Sequence, residues 1–204
     1  PGFPFFWVQL APYDPSVKNA ADKAPGESNW AELREAQSMT LKLPHTGQAV
    51  ITDFGHETDI HPTPKLPVGE RLSLAARAAV YGEKIVYSGP VYKNMKVKDS
   101  KAILTFDHIG SGLTSKELER QGKAWRVKGG ASKGPLLGFT VCGEDKKFHN
   151  AQAEIVGNTV TVSCDAVKNP VAVRYGWANH PVCNLFNVEG LPASPLVLSV
   201  TAVT

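Results

Sequence analysis

The feature that most constrains this chain is a change of pattern near residue 88, where alternating strand-like and helix-like segments give way to strand-like runs alone. Residues 5–11 form a short, largely apolar run closed by Pro12, the length and bounding of a buried strand in a parallel sheet. Asn29 is followed three positions later by Glu32, the spacing of a capping box, so a helix is expected from Trp30. Trp30, Leu33 and Met39 are expected on its buried face, with Glu32, Arg34 and Glu35 solvated. Residues 49–54 read as the next strand, ended by Gly55. A second helix is expected over 68–81, because Val68, Leu72, Ala75, Ala76 and Ala79 recur at spacings of three and four and Gly82 is a natural stop. Strand, helix, strand, helix predicts an α/β unit.

After Ser88-Gly89-Pro90 the helical signal fades. Residues 102–106, 136–142, 151–156, 159–164 and 170–175 alternate or are rich in β-branched side chains, and Gly157-Asn158 suits a two-residue hairpin turn. Short strands at this density predict an antiparallel β-sandwich. The expected division is an α/β part over 1–88 and a sandwich over 89–204. Residues 116–128, the most charged stretch, read as a solvated excursion between strands. The 18 glycines and 15 prolines among 204 residues exceed ordinary usage and support many turns.

With 42% hydrophobic and 20% charged residues, the chain can build a real core and is not mainly disordered. No apolar run approaches the roughly 18 residues of a membrane helix, so no membrane is expected as a partner. The net charge of +3 is spread along the chain, without the basic stripe that nucleic acid requires. Cys142, Cys164 and Cys183 form no CxxC pair, which argues against a structural zinc site. An odd count leaves at least one thiol free, with Cys164 and Cys183 open to pairing if the protein is exported. The chain opens on Pro1 without a signal-peptide pattern, as expected of a processed chain or a fragment.

Chemistry concentrates in Asp53-Phe54-Gly55-His56-Glu57-Thr58-Asp59-Ile60-His61-Pro62, directly after a predicted strand, where open α/β sheets bind ligands. A histidine beside an acid is the unit that activates a serine nucleophile. Three alternatives stand beside that reading. The segment is a polar loop whose acids cap the next helix; or His56, Asp59 and His61 supply metal ligands; or Ser28 in Gly26-Glu27-Ser28-Asn29 is itself a nucleophile. Against the last, a nucleophile elbow needs glycine two places after the serine, and Trp30 stands there.

Phe3-Pro4-Phe5-Phe6-Trp7-Val8-Gln9-Leu10-Ala11-Pro12-Tyr13 and Trp30-Ala31-Glu32-Leu33-Arg34-Glu35-Ala36-Gln37 are followed in order by Asp59-Ile60-His61-Pro62 with Lys65 and by Val68-Gly69-Glu70-Arg71-Leu72. Then come Phe106-Asp107-His108-Ile109-Gly110-Ser111-Gly112-Leu113, Gly138-Phe139, Val173-Arg174-Tyr175-Gly176-Trp177-Ala178, Asn184-Leu185-Phe186-Asn187 and Gly190-Leu191-Pro192-Ala193-Ser194-Pro195. These ordered blocks resemble the second half of the sialate O-acetylesterase family, SGNH-hydrolase-like carbohydrate esterases. The resemblance implies the C-terminal part of an SGNH-like, flavodoxin-type parallel sheet followed by the sandwich. It also implies a serine esterase that removes O-acetyl groups from sialic acid or related sugars. The family's catalytic histidine maps to His61, with Asp59 as the supporting acid. Asp53 is the fallback, because the wider pattern places the acid three residues before the histidine, where Thr58 stands. Neither a cofactor nor a metal is implied.

The family's nucleophile block, Gly-Gln-Ser-Asn-Met, and its Trp-Gly-Gly-Thr oxyanion block do not occur here. The Gly26 to Asn29 segment copies four letters of a third block, Gln-Gly-Glu-Ser-Asn, but follows the Phe-Pro-Phe strand instead of preceding it. After Pro195 the family's Phe-Arg-Thr-Asp is replaced by an apolar, Ser/Thr-rich tail. The implied partners are an O-acetylated carbohydrate and an N-terminal segment or subunit bearing the serine; the implied location is secreted or periplasmic. The isolated chain is expected to be a poor or inactive esterase that exposes apolar sheet surface and associates. A non-catalytic carbohydrate-binding role through Trp125 and Trp177 is the competing expectation, and for both residues simple packing is the plainer one. Arg174 is read as half of a structural ion pair or as a carboxylate binder, and His45, His108, His149 and His180 as structural or surface residues.

Overall fold

The computed structural model describes residues 2–199. Its first sheet pairs two parallel strands, β1 (Phe5–Val8) and β2 (Thr46–Ala49), and the connection between them carries the helix α1 (Asn29–Met39). A parallel pair needs a crossover of this kind, because a tight turn can only reverse the chain. The helix α2 (Leu66–Ala79) follows, opened by a proline in its first turn and succeeded by Gly82 at φ 69°. Ala75 is buried and Val68, Leu72 and Ala76 half-buried, as the spacing predicts, whereas Ala79 is exposed.

Three local expectations are corrected. The second strand lies earlier than 49–54. Val50 to Asp53 are buried but have left the sheet, and the Phe54 amide donates to the Ile51 carbonyl at 3.0 Å. Just beyond, Gly55 lies against Pro12, where any Cβ would collide. The cap of α1 is Ser28, not Asn29: its Oγ accepts the Ala31 amide at 3.1 Å. Finally, Leu33 and Met39 are exposed, while the residues α1 buries are Ala31 and Arg34. Arg34 is inside because its guanidinium finds carbonyl partners there, a contact that helical periodicity does not encode. The strand β1 is half-buried rather than buried, and Phe3, Phe5, Leu33, Met39 and Leu43 are exposed.

From residue 91 onward every pairing is antiparallel. In chain order the strands are β3 (Val91–Lys98), β4 (Lys101–Asp107), β5 (Leu113–Gln121), β6 (Ala124–Ala131), β7 (Phe139–Cys142), β8 (His149–Asn150), β9 (Gln152–Val156), β10 (Thr159–Ser163), β11 (Ala172–Tyr175), β12 (Leu185–Asn187) and β13 (Leu196–Ser199). They form sheets ordered β3-β4-β10-β9, β13-β11-β7-β8 and β12-β5-β6. Leu104, Val160 and Val162 of the first sheet join Val141, Val173 and Tyr175 of the second in one core, giving a sandwich-like arrangement. In β10 the buried Val160 and Val162 alternate with threonines, the period of two that a one-sided strand demands. Gly157-Asn158 makes the β9–β10 turn as expected, pairing Val156 with Thr159.

The charged stretch 116–128 is a correction: it is most of the hairpin β5–β6, closed by Gly122-Lys123 with Gly122 at φ 63°. Its ladder hydrogen bonds and a cross-strand Lys128–Glu117 contact of 3.4 Å replace the apolar alternation by which strands are recognised. The strand β3 was also hidden, because it is an edge strand carrying Lys93, Lys96 and Lys98, the charges that protect such edges from further pairing. The expected apolar tail supplies β13 against β11, and its residues 200–204 lie outside the described residues. The three cysteines are free, so Cys164 and Cys183 do not pair, and burial pushes the Cys183 thiol up to about 12.

Candidate active site

The segment from Asp53 to Pro62 is anchored at one end and open at the other. The buried Glu57 is its anchor. Its amide donates to the Lys123 carbonyl at 2.7 Å, and its carboxylate accepts Arg120 Nη2 at 2.7 Å and the Ala20 amide at 3.1 Å. Burial alone would raise its pKa, but these donors hold the carboxyl below its usual range. The Gly55 carbonyl accepts Arg126 Nη1 at 2.6 Å, and the His56 amide donates to the Pro12 carbonyl at 3.1 Å. The hairpin β5–β6 thereby braces the loop from behind, a role the sequence reading did not assign to that stretch.

Beyond Glu57 the loop folds on itself. His56 Nδ1 accepts the amides of Thr58 and Asp59 at 3.2 and 3.0 Å, and Asp59 Oδ1 accepts the His61 amide at 2.8 Å. The last bond turns the chain so that His61 Nδ1 sits 3.2 Å from the same carboxylate oxygen. The Asp59 carboxyl is held below its usual range, chiefly by the His61 amide and further by the His61 ring. The pair is solvent-facing, with side chains 84% (His61) and 54% (Asp59) exposed, and His61 Nε2 carries no hydrogen bond among the described residues. An imidazole that engages a carboxylate through Nδ1 and presents a free Nε2 is in the orientation of a general base.

Asp53, the alternative acid, is turned away from this pair. It is buried and bidentate with Arg71, at 2.7 Å on each oxygen, and Arg71 Nη1 also reaches the Val50 carbonyl at 2.7 Å. Nor does Ser28 approach His61. Its hydroxyl donates to Asn179 Oδ1 at 2.6 Å while capping α1, so the residue clamps the helix to the loop after β11. Ser28→Ala is therefore expected to lower stability by about 1 kcal/mol, the usual worth of an N-cap, and a urea titration checks it. Among the described residues no group of three or more His, Cys, Asp or Glu is arranged to hold a metal, so the structure does not gather His56, Asp59 and His61 into one metal site.

The remaining candidates are placed as follows. Arg174 pairs with Glu27 at 3.2 Å and lies over the rings of Phe148 and Trp177, at 4.0 and 4.6 Å from their centroids. It is thus an ion pair with an aromatic bed. Trp125 and Trp177 are half-buried outside the main core. His45 and His108 occupy positive-φ positions, and His108 stands edge-on to Tyr87 at 5.1 Å. His149 lies in β8. His180 is buried, and burial pulls its pKa down to about 4.

No family model matches the chain. Over 98% of its length it is 27% identical to the sialate O-acetylesterases of Mus musculus and Homo sapiens, of which it spans 36% and 38%. It is also 47% identical to a carbohydrate acetylesterase from Xanthomonas citri whose crystal structure superposes with a TM-score of 0.80, covering 97% of this chain and 41% of that one. The chain thus spans less than half the length of these relatives, with the match running almost from end to end of its own residues. In sequence the chain is thus similar to the sialate O-acetylesterases, and in sequence and fold to a carbohydrate acetylesterase.

Proposed function

We propose that this chain supplies the histidine and acid of a carbohydrate O-acetylesterase acting on O-acetylated sialic acid or related sugars, with the nucleophilic serine contributed by a segment outside it. The observation that carries the reading is the Asp59–His61 pair, in which Nδ1 is engaged and Nε2 is free and accessible. The mammalian relatives' names point to sialate esters and the Xanthomonas relative's to carbohydrate acetyl esters. In this mechanism His61 Nε2 takes the proton from the serine hydroxyl as its oxygen bonds to the acetyl carbonyl carbon. The C–O bond to the sugar then breaks, and the imidazolium returns the proton to the departing sugar oxygen. Water, deprotonated by the same nitrogen, attacks the acetyl-serine and releases acetate. Asp59 orients the ring and stabilises its charged form.

The parallel pair β1–β2 with α1 and α2 fits the C-terminal part of an SGNH-like, flavodoxin-type sheet over 1–88, with a sandwich domain over 89–204. The exposed Phe5 of β1 and Leu33 of α1 are consistent with further elements of such a sheet packing there. The test is hydrolysis of an aryl acetate by the 204-residue chain beside its Ser28→Ala and His61→Ala variants. Turnover is expected at the buffer level in all three, since an absent nucleophile leaves no acyl-enzyme and one absent oxyanion donor alone costs about 10²–10³ in rate. Robust turnover abolished by both substitutions would make Ser28 the nucleophile and overturn the proposal.

A further inference from the structure

The bracing of the loop that carries Asp59 and His61 stops at Glu57. Gly55 is held through its carbonyl by Arg126, His56 through its amide by the Pro12 carbonyl, and Glu57 through its amide by the Lys123 carbonyl. Thr58, Asp59, Ile60 and His61 are exposed, and among the described residues they hydrogen-bond only within the loop. The bonds of the His61 amide and ring to Asp59 close the turn between those two residues. The others run back to one atom: His56 Nδ1 accepts the Thr58 amide at 3.2 Å and the Asp59 amide at 3.0 Å. Among the described residues, the half-buried His56 ring is thus the hydrogen-bonded tie between the exposed pair and the braced part of the loop.

This tie has a defined chemistry. A neutral imidazole accepts at one nitrogen and donates from the other. Nδ1 of His56 faces two amide N–H groups and must keep its lone pair, so its proton sits on Nε2. The ring of His61, whose Nδ1 faces a carboxylate, carries its proton on Nδ1 instead. The two histidines of the segment therefore hold opposite tautomers, one as a backbone acceptor and the other with Nε2 left to take a proton. Amides a few residues on are what an Asn or Asp side chain ordinarily accepts in a turn, and here an imidazole does so. The turn between Asp59 and His61 orders the pair internally, but only an anchor fixes where it stands. A displacement of about 1 Å can cost about 10²-fold in rate.

We propose that His56 is a positioning residue for the general base, its Nδ1 anchoring the Thr58 and Asp59 amides so that the Asp59–His61 pair stands in one place. The inference rests on the esterase reading for its kinetic consequence, while its NMR test involves no turnover. The unaltered chain is compared with His56→Phe and His56→Asn. Phenylalanine keeps a ring and removes the acceptor; asparagine gives up the ring and restores an acceptor for the same amides. Imidazole protons are located by ¹H–¹⁵N NMR at about pH 8, where histidine is ordinarily neutral. The His56 signal, assigned by its loss in His56→Asn, should show the proton on Nε2. Backbone order parameters over 58–61 are expected near the rigid value of about 0.85 in the unaltered chain and in His56→Asn, and below about 0.6 in His56→Phe.

In a protein that joins this chain to the serine-bearing segment proposed above, His56→Phe is expected to lower kcat for an aryl acetate about 10–10²-fold with KM nearly unchanged. His56→Asn should recover most of the loss. A role in packing alone would give the opposite order, since phenylalanine is the closer match in shape. If His56→Phe does not fold, the His56 tautomer and the His56→Asn variant carry the test. A His56 proton found on Nδ1 would overturn the proposal. So would order parameters or a kcat untouched by His56→Phe, or a His56→Asn variant as impaired as His56→Phe. Undiminished turnover in His61→Ala is a failure of the esterase reading instead, and the order parameters then still decide whether His56 holds the loop.

Discussion

Replacing His61 by alanine, in a protein that joins this chain to the serine-bearing segment proposed above, is expected to lower kcat/KM for an aryl acetate by about 10²–10⁴, the usual worth of a general base. The melting temperature should stay where it was. The side chain is 84% exposed and its ring bonds only to the solvent-facing Asp59, so removing it opens no cavity and strands no buried partner. Asp59→Asn should give a smaller loss, because the acid orients a ring that can still ionise in water. Asp53→Asn separates the two acids in the opposite way. It breaks a buried bidentate pair with Arg71 and should cost about 3–5 kcal/mol of stability. Undiminished turnover in His61→Ala would sink the assignment. A kinetic loss in Asp53→Asn with an unchanged melt would shift the acid to Asp53.

Arg34→Ala is expected to have a large effect on stability. The residue is 0% exposed, and its three guanidinium contacts are each 2.8 Å: Nε to the Leu10 carbonyl, Nη1 to that of Ala178 and Nη2 to that of Asn179. Helix α1, the segment after β1 and the loop after β11 thus share one side chain. Burial pulls its pKa down to about 10, still well above neutrality, so the cation persists and the carbonyl dipoles compensate it. Truncation leaves three carbonyls without these donors. A loss of about 3–5 kcal/mol follows, read as a lower urea midpoint at similar slope. Lysine should not rescue, since an ammonium cannot reproduce a planar fork with three separate targets. A midpoint unchanged in Arg34→Ala would show that packing around α1, not this contact, holds the two regions together.

These two residues mark the boundary of what was legible. Asp59 and His61 are two positions apart, and the Asx-like turn that brings them together uses only their own backbone and side chains, so the spacing itself carries the geometry. The same holds for the Gly157-Asn158 hairpin and for α2, where periodicity reports burial directly. Arg34 failed as a solvated residue because its partners lie 24, 144 and 145 positions away, and no local pattern records a distant carbonyl. The hairpin β5–β6 is not legible from pattern because its charged residues look like a solvated stretch. There the charged side chains serve the loop they brace, Arg120 reaching Glu57 across 63 positions.

By itself the sequence determined the change from helix and parallel strand to antiparallel strands, the local turns, the Asp59–His61 spacing and the family likeness. All of these reside in short-range pattern. Only the tertiary structure decided that Asp53 belongs to Arg71, that Ser28 caps a helix and that Arg34 is buried. The physical reason is common to them. Whether a polar side chain is solvated or paired depends on which distant groups the fold brings within about 3 Å, the range of a hydrogen bond, and that proximity exists only once the chain has closed on itself.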